Sequence, residues 1–580
     1  MIRPATLVLL ALLLIPGNGR ADTETALNTG QTDSESALTS GLTHGNLWPW
    51  DEPALSAAAT RFFEYTYQME YDRCRAIADS LKAARPEDPL TLIFEARIFR
   101  SIFREVDVTR PTKEAQFDQF LEVLSEMSSR SQALLDKNPD DPRAHLALGW
   151  GGMLKSQFQV MLKEYWGANK TSSSAIEHVK RVLELKPEQP DAKFLLGAYL
   201  YMVDTLPKFI KLIKWIPFLG IPSGDRERGL EMLKEAAAAP IPTARDYQLF
   251  YGFSDVFYEG VFRRSEQTFL PFHIAYPANP RFSLPLALVA PYDPMEGLMA
   301  DRYWRLLSQE WEITRRTAGV RGPWWQGQVR WSVTMALRIC LMAAFQWEAI
   351  GRPDMALPIY QEMVADPLTR YFRLSGPIRM GLARSAWLQG DRNMALHALE
   401  EIVQIDILEP WHDKAEKFQK EIENAAAPPA HLELWKIASL PLIEVFESCK
   451  HPGTAWEEGS KDGFPFSRAQ LREIETLAAN GASKDPILLK LLGDCYTLSG
   501  LFDKALDAYE KTLNAAGENE AYWAIHIQTI LSETFILERL GRKKEAVKNA
   551  EEALKRVAHA DLLRYSLESR LDGAKRAADR

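Results

Sequence analysis

Three stretches of the 580-residue chain bring together side chains that could do chemistry. Trp411-His412-Asp413 sets an imidazole beside a carboxylate, the pairing that acid–base or metal chemistry uses. Gly224-Asp225-Arg226-Glu227-Arg228-Gly229 has the look of a phosphate-binding turn, but the lysine and the preceding strand of such a loop are missing. It reads as a turn and a helix start. Lys208, Lys211 and Lys214 recur at three-residue spacing beside Trp215, a basic amphipathic pattern that suits an anionic lipid surface. A packed helix with snorkelling lysines fits the same pattern, and Pro217 and Pro222 keep it short. The ten histidines otherwise lack ligand spacing. No phosphate loop, dinucleotide fingerprint, HExxH helix or GxSxG elbow occurs. No catalytic residue, cofactor or metal is therefore expected.

The elements that must position any site are helical hairpins. From Asp485 to Leu513, apolar residues recur with helical spacing at Leu488, Leu489, Leu492 and Tyr496, then at Leu501, Ala505, Tyr509 and Leu513, with Ser499-Gly500 between the two runs. Leu492-Gly493, Tyr496, Gly500, Ala505 and Tyr509 resemble one complete unit of the tetratricopeptide repeat (TPR) superfamily. The resemblance implies that Gly493 faces Ala505 across the hairpin and that Tyr509 reaches toward the next one. Two more units resemble the family at Ala344, Trp347, Gly351, Ala356 and Tyr360 and at Ala383, Ala386, Gly390, Ala395 and Leu399, and a last one at Gly541, Ala546, Ala550 and Ala553. Earlier repeats are degenerate. Leu148-Gly149 and Leu196-Gly197 resemble first helices, and Ala175, Val179 and Val182 a second. The long register between Pro142 and Pro190 leads us to expect the helix from Arg143 to run past Tyr165. Prolines and aspartates punctuate the helices, because proline suits a helix start. Residues 282–297, with three prolines, read as an irregular connection or a very short helix. Within 206–230, Leu206-Pro207, Phe218-Leu219-Gly220, Gly224-Asp225-Arg226 and Gly229-Leu230 resemble a signature of the tetratricopeptide-repeat-domain-39 and inclusion-body-clearance family. That likeness implies fold and not cellular role.

The expected fold is thus an all-α superhelical array (α-solenoid) of antiparallel TPR-like hairpins. Arg3 followed by the apolar run Leu7–Ile15, Pro16 and Gly19-Arg20-Ala21 reads as a signal peptide cleaved near Ala21. Its removal takes two arginines and moves the formal charge from −9 to −11. An exported product, periplasmic or secreted, is expected. The expected order is a signal peptide (1–21), a disordered linker (22–47), degenerate repeats (48–300), clearer repeats (301–425), a linker or loop (426–466) and C-terminal repeats with a capping helix (467–580). The acidic balance argues against a nucleic-acid partner. Four cysteines, at 74, 340, 449 and 495, match no disulfide framework or zinc pattern; Cys74, Cys340 and Cys495 lie inside helical patterns and are expected to be buried thiols.

In the repeat family the first helix of each hairpin lines the concave side. Projected here, that selects Leu146, Trp150, Met153, Phe194, Ala198 and Tyr201, then Leu341, Phe345, Glu348, Met380, Arg384 and Trp387, then Lys490, Asp494 and Thr497. The expectation is a groove, apolar in the N-terminal half, that holds a protein or peptide. The expected function is a non-catalytic exported scaffold in the cell envelope. Two other expectations stand beside it: an accessory subunit of an envelope transport or assembly system with membrane contact through 206–222, and an enzyme whose site is built from dispersed residues.

Overall fold

The computed structural model describes residues 52–105, 110–161, 164–205, 224–292, 297–317, 331–365, 374–405, 408–429, 431–448, 468–481, 484–557 and 562–578. The signal peptide, the linker at 22–47 and the Lys208–Trp215 run lie outside these residues. Among the described residues there are helices and no strand. Backbone proximity divides the chain into two compact units, one of 1–254 with 317–334 and one of 255–316 with 335–580.

The first unit runs α1 (Pro53–Tyr67), α2 (Tyr71–Ala84), α3 (Leu92–Glu105), α4 (Arg110–Lys137), α5 (Pro142–Met161), α6 (Tyr165–Leu185), α7 (Pro190–Thr205), α8 (Arg226–Ala237) and α9 (Ala244–Ser254). Each helix packs on the next. The second unit starts with a π turn (Asp255–Glu259), α10 (Phe262–Ala275), α11 (Pro280–Val289) and α12 (Met299–Thr317). It continues with α13 (Trp331–Ala349), α14 (Pro353–Ala365), α15 (Ser375–Leu388), α16 (Arg392–Val403), α17 (Glu409–Asn424) and α18 (Leu432–Ser448). It finishes with α19 (Arg468–Gly481), α20 (Pro486–Leu498), α21 (Phe502–Ala516), α22 (Trp523–Arg539), α23 (Lys543–Arg556) and α24 (Leu562–Ala578). Successive helices again pack pairwise from α14 to α17 and from α18 to α24. The architecture is an all-α array of antiparallel TPR-like hairpins, the solenoid class.

Local chemistry explains the boundaries. Pro53, Pro142, Pro190, Pro280, Pro353 and Pro486 are all first residues of their helices, where a missing N–H costs nothing. Asp485 accepts from the N–H groups of Ile487 and Leu488 at 2.9 and 3.2 Å, capping α20. Asp225 caps α8 through Arg228 N–H at 3.0 Å, so the phosphate-like GDRERG run is a helix start. At the turn between α20 and α21, Gly500 has φ +70°, which only glycine takes without strain, and Leu501 N–H reaches Tyr496 O at 2.8 Å. Gly351, Gly390 and Gly541 make the same turn.

Small residues set how closely helices approach. A Cβ on Gly229 would lie 2.7 Å from Tyr201 N, and one on Gly197 2.9 Å from Gly229 O, so α7 and α8 touch backbone to backbone. Gly229→Ala should therefore destabilise the first unit by about 1–3 kcal/mol through overpacking. Urea denaturation would check this, and an unchanged midpoint would contradict the close contact. At Gly493 the expected partner is corrected. A Cβ there would meet the ring of Tyr509 at 2.4 Å, so Tyr509 folds back over its own hairpin instead of reaching only toward the next. With Tyr496, Ala505, Ala508 and Ile536 it forms a core cluster.

Three other expectations are corrected. The helix from Pro142 ends at Met161 and a second begins at Tyr165. The break lets α6 fold back on α5, where a Cβ on Gly149 or Gly152 would lie 2.6 Å from Val179 or Ala175. Residues 280–289 form a ten-residue helix despite Pro285, because every one of them is buried and packing outweighs one missing hydrogen bond. The segment 426–466 is not all linker. Residues 432–448 form α18, whose Trp435 is fully buried and donates its Nε1–H to Asp485 Oδ2 at 2.9 Å. Cys74, Cys340 and Cys495 are buried thiols that form no disulfide, as expected; Cys449 lies outside the described residues.

Candidate functional site

The projected inner positions do come together, but as interior packing. Leu146, Trp150, Met153, Phe194, Ala198 and Tyr201 are at most 5% exposed, and so are Phe345, Glu348, Met380, Arg384, Trp387, Lys490, Asp494 and Thr497. Leu341, at 6%, is buried too. The open groove is therefore corrected to a set of narrow clefts. The physical reason is that neighbouring hairpins cover these positions with long aromatic and cationic side chains.

In the first unit, Phe194 of α7 stacks on Trp150 of α5 with centroids 5.9 Å apart and on Tyr247 of α9 at 4.0 Å. Arg97 of α3 closes the other face of this aromatic column, its guanidinium 4.6 Å from the Trp150 centroid and 5.1 Å from that of Phe63. Arg97 Nη1 donates to Asp246 Oδ2 at 3.0 Å, and Tyr67 donates to the other oxygen at 2.9 Å. Asp191 accepts from Thr243 at 3.0 Å and from the Tyr247 hydroxyl. Burial holds the Tyr247 phenol well above its ordinary pKa, with Asp191 adding to the effect. The remaining cleft, of about 30 Å³, is walled by Leu146, Trp150, Arg97 and Asp191, among others.

The second unit repeats the design. Arg384 of α15 donates from Nε and Nη2 to Glu348 of α13 at 3.3 and 3.0 Å. Tyr360 and Ser385 complete the carboxylate's partners, each at 3.2 Å. Although burial opposes the charge, Glu348 together with Tyr360 and Glu520 keeps the Arg384 guanidinium protonated. Arg384 also lies 4.8 Å from the Trp523 ring centroid, and Phe345 meets that ring edge-on at 5.9 Å. Lys414 sits 5.5 and 5.9 Å from the Trp411 and Trp523 rings. A cleft of about 20 Å³ remains between Phe345, Arg384, Trp411, Glu520 and Trp523. Burial raises the Glu520 carboxyl above its usual range, opposed by Arg384 and Lys414. A third space, of about 10 Å³, adjoins Lys490, Asp494, Gln528 and Ser532. There Lys490 pairs with Asp494, which also accepts from Tyr509 at 2.8 Å.

The sequence missed Arg97, Asp191, Asp246, Glu520 and Trp523. Their partners lie tens to hundreds of positions away, so spacing carried no signal. Trp411 was singled out together with His412 and Asp413, but the three side chains do not form a unit. The Trp411 indole enters the cleft, while the His412 Nε2 lies 3.3 Å from Ile405 O. Among the described residues, no group of three or more His, Cys, Asp or Glu could hold a metal ion. No described helix is long and apolar enough to cross a membrane.

Two buried histidines give the second unit a pH signature. His273, beside Ser283 Oγ at 2.9 Å, and His526 are both pushed down to about 4, by burial first and by Arg302 or Arg556 second. An imidazole whose folded pKa is depressed stays neutral in the fold, so unfolding takes up protons and stability falls between about pH 6.5 and 4. Glu533 and Asp255, raised by burial to about 7 and 6, act the other way, losing stability as pH rises through those values. His273→Asn should therefore reduce the proton uptake on unfolding near pH 5 by about one. Denaturation midpoints measured against pH would check it, and an unchanged slope would contradict a neutral buried His273.

No protein-family model matches the chain. No curated protein matches it in sequence. Among solved structures, one similar chain is that of the human IFIT1 dimer with PPP-AAAA, at 13% identity and a TM-score of 0.25; the match covers 88% of this chain and 100% of that one. At that score nothing is carried over from it, and the TPR-like architecture stands on the hairpins described above.

Proposed function

We propose that the protein is a non-catalytic scaffold that holds a protein or peptide partner and acts after export to the cell envelope. One observation carries the reading. In the second unit, a cleft at the inner helix positions is walled by aromatic side chains and the Arg384–Glu520 ion pair, and the indole nitrogen of Trp411, one of its lining residues, is buried without a hydrogen-bond partner. Preformed walls of this kind suit recognition. Export is supported by the sequence of residues 1–21, and intact mass of the native protein should begin at Asp22. Contact with the membrane through 206–222 is a further proposal, resting on the lysine spacing and tested by flotation with anionic vesicles. The finer likeness of 206–230 to the tetratricopeptide-repeat-domain-39 family supports a shared hairpin geometry alone.

The test is affinity capture of the mature chain from native envelope extract with cross-linking, beside a Glu520→Leu variant. Trp150, Phe194 and Tyr201 are unsuitable for substitution, because alanine there would empty the core. One partner captured by the native chain and lost from the variant supports the scaffold reading. Capture of none would overturn it and shift weight to small-molecule binding or dispersed-site catalysis.

A further inference from the structure

The second unit's cleft is equipped for a neutral guest that both donates and accepts a hydrogen bond. The Trp411 residue is 4% exposed, and its Nε1–H is buried with no hydrogen-bond partner. A buried donor left in this way calls for an acceptor. On the same cleft, the Glu520 carboxylate is ion-paired with Arg384 Nη1 at 3.6 Å. At that distance it keeps acceptor capacity for a donor. The two charged side chains that line the cleft, Arg384 and Glu520, sum to zero and pair with each other, so a charged guest would be desolvated without a free counter-charge. A neutral group with a carbonyl beside an N–H satisfies both sites.

Size narrows the class further. A space of about 20 Å³ admits little more than one or two water-sized groups. A backbone amide, substituted on both sides, cannot enter it end-on. A terminal carboxamide can, with its methylenes against Leu341, Phe345 and Leu563. We propose that this cleft binds a primary carboxamide, as carried by an asparagine or glutamine side chain of the partner, Trp411 donating to its oxygen and Glu520 accepting from its nitrogen. The first unit carries an independent parallel: Arg97, stacked on Trp150 and paired with Asp246, has a buried Nε without a partner at its own cleft. The inference rests on the scaffold reading and names what the scaffold grips.

The test uses the full mature chain with ¹⁵N-labelled tryptophan indoles, titrated with N-acetylglutamine methylamide. N-acetylglutamate methylamide and N-acetylmethionine methylamide serve as charged and apolar counterparts. The expected result is a saturable downfield shift of the Trp411 indole resonance with the glutamine probe, and binding weaker by at least about tenfold with the other two. Trp411→Phe and Glu520→Leu should each abolish the response, read on the Trp523 indole, while the other indole resonances stay in place. No Trp411 shift would mean that the cleft holds water only, and equal shifts with all three probes would mean binding that ignores the carboxamide; either would overturn the proposal. Partner capture by the same native preparation separates the two readings. Capture without a probe response removes the carboxamide assignment alone, whereas a probe response with empty capture removes the scaffold reading and keeps the site.

Discussion

Glu348→Ala is expected to destabilise the second unit by about 3–5 kcal/mol, the usual cost of removing one member of a buried ion pair. The Glu348 and Arg384 side chains are 3% and 5% exposed, and the carboxylate accepts from Arg384 twice and from Tyr360 and Ser385 once each. Its loss leaves the buried guanidinium with Glu520, at 3.6 Å, as its remaining counter-charge. Replacing both partners by apolar residues of similar volume, as in Glu348→Leu with Arg384→Met, should recover part of that loss, because no guanidinium is then stranded and Glu520 keeps Lys414 as a counter-charge. Urea denaturation of the two variants gives the comparison. A single substitution as mild as the double one would show that the pair is solvated.

Trp435→Ala should be about as costly, on the order of 3–5 kcal/mol for an emptied indole site. Trp435 is fully buried and donates to Asp485, the residue that caps α20. Truncation thus opens a cavity and also frees one oxygen of the cap. Trp435→Phe keeps most of the volume and loses the hydrogen bond, so a loss of about 1–3 kcal/mol is expected. If the alanine variant melted with the native chain, α18 would be dispensable to the unit.

What the sequence disclosed depended on the range over which each constraint acts. The turn at Gly500 and the helix start at Pro486 were legible because backbone conformation there is dictated by one residue and its neighbours. The buried alanines at 356, 395, 505 and 546 were legible because repeat spacing puts them at helix crossings. The helix α18 was hidden between Ala425–Pro429 and Glu447–Pro465, whose composition reads as linker. In α11, Pro285 misled because proline weighs heavily in local propensity and lightly against complete burial. The family projection selected inner positions correctly, since Leu146, Trp150, Phe345, Arg384, Lys490 and Asp494 all border clefts. It could not say what covers them. Arg97 reaching Trp150 and Arg384 reaching Glu520 are decided by side chains that meet only once the hairpins have stacked.

In the second unit, elements early in the chain rest on late ones. Gln528 of α22 donates to Pro291 O at 2.7 Å, and Arg570 of α24 donates to Gly260 O at 3.3 Å while lying 5.2 Å from the Phe262 ring centroid. The backbone at Gly260 comes so near α24 that a Cβ would sit 2.9 Å from Ser569 O. An open solenoid can order repeat by repeat as it is made, since each repeat needs only its neighbour. Here the segment 255–292 cannot finish burying its apolar side chains until residues 523–570 have left the ribosome. Its synthesis therefore includes an interval in which Phe262 and its neighbours are exposed, and closure comes late, over a long sequence separation, in one cooperative step.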